Sequence, residues 1–332
     1  MTEPTRPLII MDLPENVRKC VTDIMDLNDK LSLSLVSRKC VELVKSTKTT
    51  VDHIIIRYVD RSKMAVGLTV NDSEYKWDFV PIEESNDVNQ LYKLKPKNGI
   101  TWEKSVLTMK SWMEHINGVF NIKRSVISFC LRERGPPVDL ENMRRVFGSF
   151  NDLDINNWCP DNFEYSALRV FNSGSIWLLG QFESLKYFER IMLCPLTQYY
   201  MEYWRDAIDE KLEISLDILL GMNSRNIKCI DIAWSEKTIN RFFKLWITGC
   251  NSNLSKLILR LGVEDMNLEK LLTGIQYTRL LIVDDQAVVQ YEIRNKKGML
   301  GIISLTRSAL DHTNLDFTVY GIDERIPQER NG

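Results

Sequence analysis

Residues able to do chemistry are sparse in this chain. Its three histidines, His53, His115 and His312, lie far apart in the sequence. A proton-transfer pair would need two of them, or one and a carboxylate, brought together by the fold. Asp284 and Asp285 stand side by side at the end of an apolar run, where a solvated turn is the ordinary explanation. The seven cysteines, Cys20, Cys40, Cys130, Cys159, Cys194, Cys229 and Cys250, are odd in number and show no C-x-x-C spacing. Cys130, Cys194 and Cys229 fall in or beside apolar runs, where a reduced thiol packs as a small hydrophobe rather than ligating a metal. No G-x-S-x-G elbow, G-x-G-x-x-G, G-x-x-x-x-G-K-[ST] or H-E-x-x-H occurs, so nucleophilic, phosphate-cradling and metal-assisted reactions all lack their motif. The expectation is a protein that is not an enzyme, with no cofactor and no metal.

Composition narrows the class further. Of 332 residues, 44% are hydrophobic and 27% charged, a globular balance long enough for two units. Forty-three basic residues against 45 acidic give a net charge of −2, so no global field attracts nucleic acid or an anionic membrane. The basic pairs Arg144-Arg145 and Lys296-Lys297 are each only two residues long. No apolar run approaches the roughly 18 residues that span a bilayer. Unpaired cysteines suit a reducing cytoplasm or nucleus. Protein partners are therefore expected, with no nucleic acid and no membrane.

The periodicity supplies a mixed α/β chain. Residues 13–44 read as three short helices: Leu13, Val17, Val21 and Ile24 fall at helical spacing, Asp12 caps, and a polar break at 26–29 precedes Leu31 and Leu35. Residues 51–98 read as a small antiparallel meander with a polar connection, turned at 71–73. A helix is expected over 101–119. Beyond it, short apolar strands at 125–131, 153–158, 187–193, 226–234, 254–261 and 280–283 alternate with helical stretches such as 139–150 and 237–248, the signature of a parallel sheet. Ile127 to Ile155 and Ile230 to Ile258 repeat a step of about 28 residues, inside the range of leucine-rich repeats, while 162–209 does not keep it. A degenerate repeat and an open α/β sheet without true repeats both fit. Antiparallel strands at 287–294, 300–306 and 315–320 close the chain, with Gly298 in a turn and a flexible tail at 326–332.

The run LPENVRKCVTDIMDLNDKLSLSLVSRKCVELV, residues 13–44, resembles the F-box. The following domain resembles the type 2 F-box-associated domain of the nematode-expanded family, on LDILLGMNSRNIKCIDI at 216–232, NRFFKLWITGCNSNLSKLIL at 240–259 and YEIRNKKGMLGIISL at 291–305. The resemblance implies an F-box helical domain at 8–48, the meander at 51–98 and an F-box-associated α/β domain at 99–325 with leucine-rich-repeat-like units. It implies a substrate receptor of a ubiquitin ligase, bound to a Skp-type adaptor and a cullin, with an unknown protein substrate. Carried across, the adaptor contacts would be Leu13, Pro14, Val17, Val21 and Met25 with Leu31, Leu35 and Val36. The family usually has Trp four residues after that Val, where this chain has Cys40. A unit of about 35 residues cannot bury enough surface to stand alone. It leans either on a partner or on the chain's own core, as a non-ligase scaffold would.

Overall fold

In the computed structural model the described residues are 10–60, 63–82, 90–96, 106–131, 138–156, 163–180, 190–203, 214–232, 234–261, 266–280, 289–307 and 313–321. The chain divides into two units at Asn151 and Asp152.

The first unit begins with a single 3-10 turn, Ile10–Asp12, and three helices, α1 (Glu15–Ile24), α2 (Leu27–Ser34) and α3 (Arg38–Ser46). Pro14, not Asp12, takes the cap position of α1, and no side chain caps it. Asp26 and Ser37 cap the next two, their side chains accepting from the amides of Asp29 and Cys40, each worth about 1 kcal/mol. The helices lead into β1 (Thr50–Asp60), β2 (Lys63–Val70), β3 (Ser73–Pro81), β4 (Leu91–Pro96) and β5 (Val106–Thr108), then α4 (Met109–Val119), β6 (Asn121–Cys130) and α5 (Leu140–Phe147). The sheet runs β6-β1-β2-β3-β4-β5. β1 and β6 are parallel, and the other pairs antiparallel. Asn71 and Asp72, with φ of 47° and 64°, make the tight β2–β3 turn whose twist matches the strands. The helix expected from 101 starts at Met109, because 106–108 pair with β4 first; residues 101–105 lie outside the described ones. Buried Trp112 of α4 donates its indole N–H to the Tyr92 carbonyl of β4 at 3.0 Å.

The second unit contains β7 (Asp152–Asn156), α6 (Phe163–Phe171), β8 (Ser175–Gly180), β9 (Gln198–Tyr203), α7 (Leu216–Gly221), β10 (Asn226–Ile232), α8 (Glu236–Thr248), β11 (Lys256–Leu261), α9 (Leu268–Leu272), β12 (Thr278–Leu280), β13 (Val289–Arg294), β14 (Leu300–Arg307) and β15 (Thr313–Tyr320). Strand order is β7-β8-β9-β10-β11-β15-β14-β13-β12. The first five are parallel and the rest antiparallel. Leu153, Ile176, Tyr199, Ile227 and Leu257 stand in one buried row across the parallel strands. Turns entering the strands are joined in series: Thr197 N–H to Gly174 O, Arg225 N–H to Thr197 O, Ser255 N–H to Arg225 O. The unit thus stacks as strand–helix steps through the portion that the sequence spacing left irregular. Strands lie at 175–180 and 198–203, whereas 190–192, inside an expected strand, form a helical turn.

α8 carries an aromatic cluster of the core. Ser235 caps it, Gly249 at φ 110° ends it, and Phe242, Phe243 and Trp246 are fully buried. All three rings meet Phe317 of β15 edge-on, at 6.3, 5.1 and 4.9 Å between centroids, a geometry that adds to the area term. Gly301 of β14 lies against this cluster, and a Cβ there would sit 2.5 Å from Phe317. Gly301→Ala is expected to destabilise the chain by about 1–3 kcal/mol through overpacking, read as a lower urea midpoint with unchanged m.

Candidate protein-docking surface

Arg18, Val21 and Thr22 form the inner side of α1, and its other residues are exposed. Thr22 is buried, its hydroxyl donating to the Arg18 carbonyl at 2.8 Å, and Arg18 is half-buried. The outward side carries Val17, Cys20 and Ile24, spaced three and four residues apart on one stripe. Val17 is 38% exposed and Ile24 85%. Pro14 at the head of the helix is exposed too, and Val36, after α2, is 73% exposed. Leaving an isoleucine in water forgoes roughly 1.5–3 kcal/mol relative to burial. A single such residue would be ordinary; three along one stripe of a helix make a candidate docking surface.

Of the eight residues expected on this surface, Pro14, Val17 and Val36 are exposed, and Leu13, Val21, Met25 and Leu35 are half-buried. Leu31 is 0% exposed, packed in the small helical core that also buries Leu27, Cys40 and Val44. Its helical phase explains this: 27, 30, 31 and 34 form the inner side of α2. Ile24, not among the eight, is the most exposed apolar side chain of α1; its spacing from Val17 is the signal that finds it. Cys40 fills a core position, its sulfur accepting from the Ser37 hydroxyl at 3.2 Å.

α2 and α3 pack on α4 within the same unit. The polar contact there is Ser34 with His115, 2.8 Å from Oγ to Nε2. Ser34 already donates its only proton to the Leu31 carbonyl at 2.7 Å, so His115 donates from Nε2–H. Burial first, and then the Lys45 ammonium, hold the imidazole below its usual 6.5. A depressed histidine favours the folded state above the unfolded value and loses that contribution as pH falls below it. Unfolding free energy is therefore expected to drop between pH 7 and 5, and His115→Gln to flatten that drop, in urea titrations at the two pH values.

Residues 10–52 match the family model described as F-box domain, and residues 187–259 match the one described as F-box associated. The chain carries an F-box followed by an F-box-associated domain. It is also similar to the F-box associated domain-containing protein sdz-33 of Caenorhabditis elegans, 25% identical over 271 residues, 81% of this chain and 84% of that protein. No solved structure gives a significant match. The F-box match spans α1 to α3 and the start of β1, so the exposed stripe lies inside it. F-box domains bind Skp-type adaptors, and proteins of this family are typically non-catalytic. The F-box-associated match spans β9, α7, β10, α8 and part of β11.

The other chemistry-bearing residues do not converge among the described residues. His53 lies half-buried on β1 and His115 on α4, while His312, Asp284, Asp285 and Cys159 fall outside the described residues. Cys40 and Cys229 are buried, and burial pushes the Cys229 thiol up to about 12, the opposite of a reactive thiolate. Among the described residues no cluster of His, Cys, Asp and Glu could hold a metal, and no helix is long and apolar enough to cross a membrane. A cleft of about 210 Å³ beside α4 and β6 is lined by Met113, Lys123, Phe147 and Asn151. It offers no acid–base pair, and Lys123 is bound to Asp52 at 2.8 Å.

Proposed function

We propose that the chain is the substrate-receptor subunit of a Skp-cullin-F-box ubiquitin ligase, acting in the cytoplasm or nucleus and doing no chemistry itself. The observation that carries this is the exposed Val17–Cys20–Ile24 stripe inside the F-box match. Pro14, Val17 and Val36 form the adaptor contact with Ile24, flanked by Leu13, Val21, Met25 and Leu35; Leu31 supports it from beneath. The F-box-associated α/β domain takes the target protein, and its stacked strand–helix steps are best read as degenerate leucine-rich-repeat-like units. Free cysteines among the described residues suit a reducing compartment.

One observation favours a second reading. α2 and α3 already have an internal partner in α4, through the Ser34–His115 contact, as a scaffold protein with a self-packed F-box-like segment would. Titrating a Skp-type adaptor into the full chain separates the two. Micromolar or tighter binding, weakened by Leu13→Ala with Pro14→Ala, supports the receptor; no binding at micromolar concentration, with that double variant changing nothing, supports the scaffold.

A further inference from the structure

The outer side of α8 carries positive charge without counter-charge. Lys237, Arg241 and Lys244 are exposed, and their four- and three-residue steps place them on one stripe opposite the buried Phe242, Phe243 and Trp246. None of the three forms an ion pair among the described residues. Other helices pair their cations: Lys45 meets Glu42 on α3, and Lys110 meets Glu114 on α4. Like charges at these spacings destabilise a helix, and a cation in the first turn, as Lys237 is, opposes the helix dipole. α8 is held by its buried aromatic side, so nothing in the fold requires the stripe.

The surroundings extend it. The turn after β13 brings exposed Lys296 and Lys297 to the end of the helix, the Lys296 amide donating to the Ile247 carbonyl at 2.9 Å. Lys244 lies over the turn after α9, its Nζ 3.3 Å from where a Cβ of Gly274 would stand. Three residues on, Tyr277 is 51% exposed and meets Tyr291 of β13 edge-on at 5.3 Å. Tyr291 pairs with Ile303, two residues from the Gly301 that packs beneath α8, so it faces the α8 side of the sheet. Exposed Arg279 stands opposite Tyr291 in the register. Among the described residues of 235–251, 266–280 and 295–298, seven are basic and only Glu236 and Glu269 acidic, in a chain of net charge −2. Glu236 is engaged, accepting the Asn267 amide at 3.2 Å with Lys270 near it.

The other side of the same sheet is arranged differently. Lys256 pairs with Asp316 at 3.0 Å, Arg260 with Glu202 at 3.6 Å and Arg294 with Glu292 at 2.7 Å. Lys228 lies 4.6 Å from the ring centre of Tyr200, on which Trp177 stacks. Unpaired cations therefore gather on the α8 side.

Resting on the substrate-receptor reading, we infer that the outer stripe of α8 is a docking site for an acidic segment of the target protein. Lys237 to Lys244 spans about 10.5 Å along the helix, which about three or four extended residues match. Two or three aspartates or glutamates within that length meet the stripe, and an apolar residue beside them covers Tyr277. An exposed tyrosine next to cations is the type of side chain that anchors an interface.

The test is selection of a phage-displayed library of random linear dodecapeptides on the full chain. The selected pool is expected to carry acidic residues clustered within about four positions. A synthetic peptide from that pool should bind more weakly as salt rises. Arg241→Glu with Lys244→Glu should weaken it about tenfold, and Tyr277→Ala about fivefold. Arg144→Glu with Arg145→Glu, on exposed residues of α5, makes the same change in net charge and should leave binding unchanged. Circular dichroism melts of each variant keep misfolding distinguishable from lost binding. A pool without acidic clusters, peptides indifferent to the α8 pair, or equal losses in the α5 pair overturn the inference. So does a 20-base-pair DNA duplex that binds this stripe more tightly than the peptide at the same salt. Glu264, Asp265, Asp284 and Asp285 lie outside the described residues; acidic peptides that bind only after all four become amides would make the chain's own acids the occupant and also overturn it. The adaptor arm is independent: Ile24→Asp should lose the adaptor and keep the peptide. A wild-type chain that selects acidic peptides through α8 but binds no adaptor overturns the receptor reading and leaves a peptide-binding stripe.

Discussion

Ile24→Asp should cost the F-box most of its adaptor affinity while leaving the chain folded. Ile24 is 85% exposed on the outer stripe of α1, so a carboxylate there meets water in the free chain and disturbs no core. In the complex the same carboxylate would be desolvated against an apolar partner surface, and the buried isoleucine contact would be lost as well. Central apolar anchors of this kind carry about 2 kcal/mol or more, roughly a 30-fold loss in affinity. The stability midpoint should move by no more than a surface substitution does, about 0.5 kcal/mol. Leu31→Ala should behave in the opposite way. Its side chain has no exposure, so the variant loses about 2–5 kcal/mol of stability, and adaptor binding falls only as far as the helical unit unfolds. Calorimetry for binding and urea melts for stability, run on both variants, separate a contact residue from a supporting one.

Phe317→Ala is expected to be among the most destabilising single changes in the second unit. The ring is fully buried and touches Phe242, Phe243 and Trp246 at once, so its removal leaves a cavity under α8 that three rigid rings cannot readily refill. Phenylalanine truncations at such sites cost about 3–5 kcal/mol, and the lost edge-to-face pairs add to the area term. Phe317→Leu keeps much of the volume and should cost clearly less. Because Phe317 joins β15 to α8, the loss should appear as a lower thermal midpoint of the second unit.

Why some of this could be read from the residues and some could not is visible in particular segments. The first three helices were legible because Leu13, Val17, Val21 and Ile24 recur at helical spacing and a polar break sits at 26–29. The closing antiparallel strands were legible from their apolar runs and Gly298, whose φ is 81°. β8 and β9 were missed. Their sequences, SIWLLG and QYYMEY, follow the short helical segments 163–171 and 190–192, and short apolar runs do not distinguish strand from helix. The same ambiguity hid Trp177: with apolar neighbours on both sides, nothing in the run says which side chains point into the core. Register with β9 decides it, and register is a long-range property. On the docking surface, phase was the limit. A helix of eight residues such as α2 has too few turns to tell Leu31, which is buried, from a position that faces outward.

The most direct test of the central claim is amide hydrogen exchange on the full chain with and without a Skp-type adaptor. Receptor function predicts new protection over 13–25 and around Val36, where Pro14, Val17, Ile24 and Val36 are exposed in the free chain, with exchange over 175–261 unchanged. An adaptor that leaves residues 13–36 unprotected, or protects only the second unit, would contradict it.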